Sequence, residues 1–218
     1  MRLIARFLEF FFHHLYHGLA FTYDLVAAIV SLGQWNEWTK SVVPYIEGTR
    51  VLELGHGPGH LQRVLLDLGL FAVGLDESSQ MGRLARRQLL RKGNAQINLT
   101  RGLGQSLPFA TESFDSIVAT FRAPYIAEAQ TLSEARRVLR NGGRLIVLPA
   151  AWPKNRFLRW LYQVTGESPA EGAGILKEKV TALLSRAGFE AHVETLELTS
   201  GTLMMTIARK PLRNHGRS

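Results

Sequence analysis

The sequence predicts an α/β protein with one doubly wound sheet of seven mostly parallel strands and helices on both faces. Short apolar segments alternate along the chain with amphipathic helical segments. A turn rich in glycine directly follows the first predicted strand. The 218 residues, 46% hydrophobic and 20% charged, have the composition of an ordinary globular domain. We therefore expect residues 1–218 to form a single domain.

Seven short apolar runs are predicted to be strands. They are Arg50 to Leu54, Ala72 to Leu75, Gln96 to Thr100, Ser116 to Thr120, Arg144 to Leu148, Ala191 to Leu196 and Thr202 to Ala208. A helical segment separates most neighbours, which favours parallel pairing with right-handed crossovers. No helix separates the last two runs, so the last strand should run antiparallel, at or near an edge.

Four helices are predicted after the first strand. They cover Gly59 to Leu68, Ser79 to Lys92, Ala129 to Leu139 and the region from Ile175 to Ala187, which Gly188 ends. The second helix carries Arg83, Arg86, Arg87, Arg91 and Lys92, and these residues form either a solvated face or an anion-binding patch.

The net charge of +8 suits an anionic partner without identifying one. The absence of cysteine excludes disulfides, thiolate-bound metals and a cysteine nucleophile.

Two segments rich in aromatic residues flank the predicted sheet. Residues 1–45 begin with an amphipathic helix that Glu9 and Asp24 make too polar to span a membrane. This helix either packs on the domain as a lid or lies in a membrane interface. Residues 150–172 form a predicted helical insertion on the side of the sheet where a pocket should open. His13 and His17 lie one helical turn apart, beside Glu9 and His14. These residues offer too few ligands for us to predict a metal site.

The most informative segment is VLELGHGPGH, which runs from Val51 to His60. A buried strand leads into Gly55, Gly57 and Gly59, and a helix follows at once. Glycines let the backbone turn tightly and approach a ligand, while the helix start offers free N–H groups. The dinucleotide pattern Gly-x-Gly-x-x-Gly fails because His60 stands at its third glycine. The pattern Glu-x-Gly-x-Gly-x-Gly, starting at Glu53, is complete.

From about Tyr23 to Ala208 the sequence resembles the class I S-adenosylmethionine-dependent methyltransferases, which have a Rossmann-like fold. It is most similar to the subgroup that includes ubiquinone and menaquinone biosynthesis enzymes. The resemblance lies in the glycine pattern, Asp76 at the end of the second strand, Glu77-Ser-Ser-Gln-Met81 after it, and the Leu-Pro-Phe and Asn-Gly-Gly stretches further on. It implies S-adenosylmethionine as cofactor and S-adenosylhomocysteine as product.

The resemblance also implies which residues hold the cofactor. Glu53 and the glycines would lie under its methionine part, Asp76 would bind both ribose hydroxyls, and Met81 would pack on adenine. The full predicted set is Tyr23, Glu53, Gly55, His56, Gly57, Gly59, Asp76, Glu77, Met81, Leu103, Gly104, Gln105 and Thr120. Leu103 stands where many relatives place an Asp, so adenine would depend on Gly104, backbone and apolar contacts. Asn141 replaces the usual Pro before Gly142.

Methyl transfer from a sulfonium needs positioning and desolvation more than a fixed catalytic triad, so no catalytic residue is assigned. A general base is required only when the acceptor must lose a proton. The residues predicted to contact the acceptor are Arg122, Tyr125, His17 and Trp160, with Tyr23 and His56 as further polar candidates. The alternative for Tyr23 and Tyr125 is a core residue or a residue that packs on the cofactor.

The predicted acceptor is a small lipophilic or aromatic molecule. The segment from Thr120 to Tyr125 lacks the signature of methyltransferases acting on nucleobase amino groups, so we do not expect a nucleic-acid partner. The alternatives are a membrane-associated, non-catalytic protein that binds S-adenosylmethionine, or an RNA methyltransferase. We expect a cytoplasmic protein, with peripheral membrane contact through the amino-terminal helix as an open alternative. The sequence does not determine the oligomeric state.

Overall fold

The computed structural model describes residues 34–91, 93, 96–120, 124–153 and 169–212. The helices are α1 Trp35–Lys40, α2 His60–Asp67, α3 Ser79–Arg91, α4 Ala129–Val138 and α5 Pro169–Arg186, with short 3₁₀ turns at Val43–Tyr45 and Pro124–Ala127. The strands are β1 Arg50–Leu54, β2 Phe71–Asp76, β3 Asn98–Arg101, β4 Phe114–Thr120, β5 Leu139–Pro153, β6 Glu190–Glu197 and β7 Gly201–Arg209. Every predicted strand is present, with bounds that differ by a few residues.

The seven strands form one sheet in the order β3-β2-β1-β4-β5-β7-β6. The first five pair in parallel, whereas β7 runs antiparallel to both β5 and β6. The predicted mostly parallel sheet is confirmed. The tight turn after β6, closed by the Leu198 N–H on the Gly201 carbonyl at 2.8 Å, returns the chain beside β6. β7 thereby lies one strand in from the edge, and β6 forms the edge.

Side chains of alternate residues along the buried strands pack into two hydrophobic cores, one on each face of the sheet. On one face, Leu52 and Ile117 belong to the core that includes Leu132 of α4 and Leu184 of α5. On the other face, Val51 and Val118 belong to the core that includes Trp38 of α1 and Leu61 of α2. The parallel strands are buried from both sides, and their carboxyl ends remain as the edge on which a ligand site can form.

Strand β5 is longer than the sequence predicts. Residues 150–153, assigned above to the start of a helical insertion, continue β5 and pair with β7, from Ala150 opposite Met204 to Pro153 opposite Gly201. The register shifts between Val147 and Ala150, and Pro149 lies inside this shift. A residue without an N–H is tolerated at such an irregularity. Residues 154–168 of the predicted insertion lie outside the described residues.

The predicted amino-terminal lid is described only from residue 34. There α1 packs on the sheet, and the Trp38 side chain is 3% exposed. Its indole Nε1 donates a hydrogen bond to Ser200 Oγ at 2.9 Å, which ties α1 to the turn before β7. Residues 34–45 are therefore part of the body of the domain. The described part of the chain includes no helix long and apolar enough to cross a membrane.

Candidate cofactor and active site

The glycine loop lies between the carboxyl end of β1 and the start of α2. Its three glycines all have positive φ, at 73° for Gly55, 51° for Gly57 and 85° for Gly59, a region that side chains with a Cβ disfavour. The Gly55 N–H donates to the Leu75 carbonyl of β2 at 2.8 Å, which anchors the loop to the sheet. A Cβ at Gly59 would lie 3.0 Å from Cβ of Ala85 in α3, so this glycine lets two helices approach closely.

Asp76 joins the glycine loop to the end of the neighbouring strand. Its Oδ2 accepts the Gly57 N–H at 2.9 Å, and its Oδ1 accepts the Ser78 N–H at 2.8 Å. These two bonds fix the plane of the carboxylate, and each oxygen keeps further acceptor capacity. A Cβ at Gly57 would meet no atom within 4 Å, so the loop has open space above it. The site therefore places the oriented carboxylate of Asp76 beside the glycine backbone, which has open space above it.

A second acid, Glu53, is buried beneath this loop, 2% exposed. Gln62 of α2 donates a hydrogen bond from Nε2 to Glu53 Oε2 at 2.8 Å. Burial raises the pKa of Glu53 to about 8, the negative charge of Asp76 adds to this rise, and the Gln62 hydrogen bond opposes it. Gln62 was not predicted as a site residue from the sequence. Its signal is a polar side chain on the buried side of α2, next to Leu61.

His56 is buried beneath the glycine loop. Its ring is 4% exposed, and its Nδ1 lies 2.8 Å from the Gly57 carbonyl. The ring stands against β2, where a Cβ on Gly74 would be 3.0 Å from His56 Cδ2. Burial lowers the pKa of His56, which the hydrogen bond to Gly57 opposes. The imidazole is thus packed inside the fold, its backbone lies in the predicted cofactor loop, and its role toward the acceptor stays a prediction.

Tyr125 bridges the two loops that the sequence assigns to the cofactor. A Cβ at Gly55 would lie 2.8 Å from Tyr125 Oη, and one at Gly104 would lie 2.8 Å from Tyr125 Cδ2. Burial and the charges of Asp76, Glu77 and Glu53 raise the pKa of Tyr125, so its hydroxyl stays protonated. The structure places this residue at the cofactor loops, and its predicted contact with the acceptor remains a prediction.

The loop between β3 and β4 carries Leu103, Gly104 and Gln105. Leu103 is 51% exposed, Gly104 is buried, and the Gln105 Nε2 donates to Glu128 Oε2 at 2.7 Å. The exposed Leu103 is free to give adenine an apolar contact, in keeping with its replacement of an acid.

Two residues of α4 hold this loop, and neither was predicted from the sequence. Arg137 donates to the carbonyls of Leu107 at 2.9 Å and Phe109 at 2.8 Å. The Leu107 N–H donates to Glu134 Oε2 at 2.8 Å, and Glu134 also accepts two hydrogen bonds from Arg137 at 2.7 Å. Hydrogen bonds with Arg137 lower the pKa of the Glu134 carboxyl, which keeps it ionised. The only sequence signal is the spacing of opposite charges by three on a helix.

The remaining predicted site residues fall into two groups. Glu77 is exposed after Asp76, Met81 is half-buried in α3, and Thr120 is half-buried at the carboxyl end of β4. The Met81 N–H donates to Ser78 Oγ at 3.3 Å, which stabilises the start of α3. Four predicted residues lie outside the described residues, namely Tyr23, His17, Arg122 and Trp160. Their roles remain predictions.

A shallow cavity of about 480 Å³ lies elsewhere on the sheet. Arg144, Arg209 and Glu190 line it, and these three residues lie in register where β5 begins to pair with β7. This is the amino end of the parallel strands, opposite the glycine loop. The cavity is therefore separate from the candidate cofactor site.

The sheet order and the site define a protein with the class I methyltransferase architecture. Two solved structures illustrate this shared fold. An S-adenosylmethionine-dependent methyltransferase from Aquifex aeolicus has a TM-score of 0.59 and 19% identity, and the match covers 79% of this chain and 89% of that chain. Magnesium protoporphyrin IX methyltransferase from Synechocystis, with bound S-adenosylhomocysteine, has a TM-score of 0.55 and 17% identity, and the match covers 80% of this chain and 83% of that chain. At these identities the likeness shows the fold alone.

The family is shown by sequence. Residues 7–173 match the model of the ubiE/COQ5 methyltransferase family, and the chain belongs to that family. A demethylmenaquinone methyltransferase of Symbiobacterium thermophilum is 32% identical over 70% of this chain and 64% of its own length. One from Clavibacter sepedonicus is 27% identical over 88% of this chain and 87% of its own length. The Symbiobacterium enzyme and three other demethylmenaquinone methyltransferases are matched over 62–64% of their own length, just under two thirds.

The residues present fit S-adenosylmethionine, the cofactor of this family. The open space over Gly57 leaves room for a ligand against the backbone. The carboxylate of Asp76 is held in place with acceptor capacity left for a ribose diol. Asp76 and Glu77 both lie close enough to Tyr125 to raise its pKa, so the cleft carries a negative field that suits a cationic sulfonium.

Proposed function

We propose that this protein transfers a methyl group from S-adenosylmethionine to a lipophilic, phenol-like acceptor, namely a reduced quinone with an apolar tail. The observation that carries the proposal is the acid-and-glycine site of Glu53, Gly55, Gly57 and Asp76 in a chain of the ubiE/COQ5 family. The demethylmenaquinone methyltransferases among its relatives support the choice of acceptor.

In this mechanism the cofactor supplies an electrophilic methyl carbon on a positively charged sulfur. Asp76, oriented by the Gly57 N–H, would hold the ribose hydroxyls of the nucleoside. The loop that Glu134 and Arg137 hold would lie beside adenine. The protonated Tyr125 closes the space between the two loops and excludes water from it. Alignment of this kind can contribute roughly 7 to 11 kcal/mol to a transfer step.

The need for an electron-rich acceptor favours a reduced one. The acceptor must donate an electron pair to the methyl carbon, and the displaced sulfur becomes a neutral thioether. A quinol ring is electron-rich and can make this bond, after which the methylated atom releases its proton. A quinone ring is electron-poor and cannot act in this way. The predicted contacts of the acceptor remain Arg122, Tyr125, His17 and Trp160, and we propose a cytoplasmic location.

The test is production of S-adenosylhomocysteine by the full chain supplied with S-adenosylmethionine and a prenylated naphthoquinol. We expect turnover with the quinol, none with the oxidised quinone, and a large loss in the Asp76→Ala variant. Phenols, amines and a transfer RNA serve as competing acceptors. Turnover with RNA and not with quinols would establish the RNA methyltransferase alternative. Tight cofactor binding without turnover on any acceptor would favour the non-catalytic alternative.

A further inference from the structure

One exposed side of α3 combines arginines with leucines and is not used by the site described above. We call it the basic face of α3, and it consists of Arg83, Leu84, Arg86, Arg87, Leu90 and Arg91. The opposite side of the helix buries Ala85 and Leu89 against the domain. At 100° per residue the six members fall within about half of the helix circumference, with Arg83, Arg87 and Leu90 near its centre.

The charges of this face are all of one sign. The 13 residues of α3 include four arginines and no aspartate or glutamate. Within the described residues, no ion pair or hydrogen bond joins any of the four guanidinium groups to an acid. Arg83, Arg87 and Arg91 are spaced by one turn, an arrangement in which like charges destabilise a helix. An anionic partner would relieve this repulsion.

The two leucines indicate which kind of anion fits. Leu84 is 42% exposed and Leu90 is 53% exposed, although both stand among the arginines. A phosphate backbone of nucleic acid offers nothing to a leucine side chain, whereas the boundary between headgroups and acyl chains offers both phosphates and hydrocarbon. Exposed leucines with arginines on the same face are the pattern of a helix that lies on a membrane surface.

We propose that the basic face of α3 is a docking surface for a bilayer that contains anionic lipids. The arginines contact lipid phosphates, and Leu84 and Leu90 enter the boundary region. The inference rests on the exposed residues of α3, and the proposed function adds to it only that a lipophilic acceptor resides in such a bilayer. This surface is distinct from the amino-terminal helix considered above.

The experiment measures binding of the full chain to vesicles of phosphatidylcholine alone and of phosphatidylcholine mixed with phosphatidylglycerol. We expect binding mainly to the mixed vesicles, weakened by salt. The Arg83→Gln/Arg87→Gln variant should bind them roughly thirtyfold more weakly, which is about 2 kcal/mol at about 1 kcal/mol for each basic residue near an anionic surface. The Leu90→Gln variant should also weaken vesicle binding. Cofactor binding should be unchanged in both, which shows that they fold.

The matched control removes cations from α5, on the face of the sheet opposite α1 and α2. Lys177 and Arg186 are both exposed there, and the Lys177→Gln/Arg186→Gln variant should bind vesicles as the wild type does. Equal loss in this control, or unchanged binding of the α3 variants, would overturn the proposal. So would binding of a single-stranded RNA that falls with the arginine variant and not with Leu90→Gln. Turnover of a soluble quinol, measured separately, tests the proposed function independently.

Discussion

Asp76 organises the candidate site at the scale of single residues, because its two carboxylate oxygens tie the glycine loop to the start of α3. We predict that the same oxygens accept hydrogen bonds from the hydroxyls of a bound ribose. Glu53 is buried, which raises its pKa, and Tyr125 packs against the glycine loop. Each of these three residues can be tested separately, because they contact different partners.

Replacing Asp76 with alanine should weaken binding of S-adenosylhomocysteine by about 1.5 to 3 kcal/mol, the range for hydrogen bonds to a charged group. This corresponds to roughly a 10- to 150-fold rise in Kd, which calorimetry measures. The Asp67→Ala variant is the control, since Asp67 is exposed at the end of α2. An equal affinity for wild type and Asp76→Ala would remove Asp76 from the site.

The raised pKa of Glu53 predicts a specific pH dependence of stability. Its pKa rises from 4.5 to about 8 in the fold, so the folded protein holds this proton more tightly than the unfolded chain does. The resulting stabilisation is fully present below about pH 4.5 and is lost as the pH rises through 8. Urea unfolding of Glu53→Gln should therefore show a flatter dependence on pH across this window. Parallel curves for the two proteins would contradict the buried, protonated state.

The packing of Tyr125 on Gly104 predicts coupling between substitutions at the two positions. The Gly104→Ala variant should lower the free energy of unfolding by about 1 to 3 kcal/mol, because the new Cβ overlaps the tyrosine ring. In a Tyr125→Ala background most of this cost should disappear. Gly55→Ala is the contrast, since its positive φ keeps the strain after Tyr125 is removed. Additive effects of Gly104→Ala and Tyr125→Ala would show that the ring lies elsewhere.

At the scale of elements, α4 supports the site from a distance through the loop that follows β3. Glu134 and Arg137 together satisfy one backbone N–H and two backbone carbonyls of that loop. The Arg137→Ala variant should lower the free energy of unfolding by about 1 to 2 kcal/mol and weaken cofactor binding, because the loop loses these bonds. Arg136→Ala, its neighbour with one longer bond to the Gly188 carbonyl, should change both far less. Thermal unfolding and calorimetry measure the two effects.

The elements themselves were predictable where local pattern dominates. The buried parallel strands are continuous apolar runs, and the glycine loop follows directly from Glu53 to Gly59. The extension of β5 was missed because Pro149 and Pro153 argue locally against a strand. The start of α5 at Pro169 was missed because Gly172 and Gly174 weaken the helical pattern, although proline suits a first helical position.

The contacts within the site were less predictable than its backbone. The Glu53 and Gln62 pair, and the loop held by Arg137, join residues brought together only by the packing of helices on the sheet. Likewise, the sequence placed Tyr125 with the acceptor, and only the folded chain brings it against Gly55 and Gly104. Sequence spacing identifies which strand ends meet, and it does not determine which side chains reach across between loops.

At the scale of the whole molecule, the described members of both cores come mainly from α1, the strands of the sheet and the helices packed on it. We expect that deleting the first twenty residues leaves the sheet folded, with the unfolding transition and cofactor binding largely intact. If this segment is the predicted lid, methyl transfer should fall severely, because the acceptor loses its positioning and its dry site. Unchanged turnover with weaker binding to vesicles would instead identify the segment as a membrane anchor.

The central claim is that the glycine loop and Asp76 form a site for S-adenosylmethionine, and calorimetry on the purified full chain tests it most directly. The complete Glu-x-Gly-x-Gly-x-Gly pattern and the carboxylate bound to the Gly57 N–H predict binding of both S-adenosylmethionine and S-adenosylhomocysteine, with no response to NAD. Binding of NAD without any response to the two sulfur nucleosides would contradict the assignment of the site and of the proposed reaction.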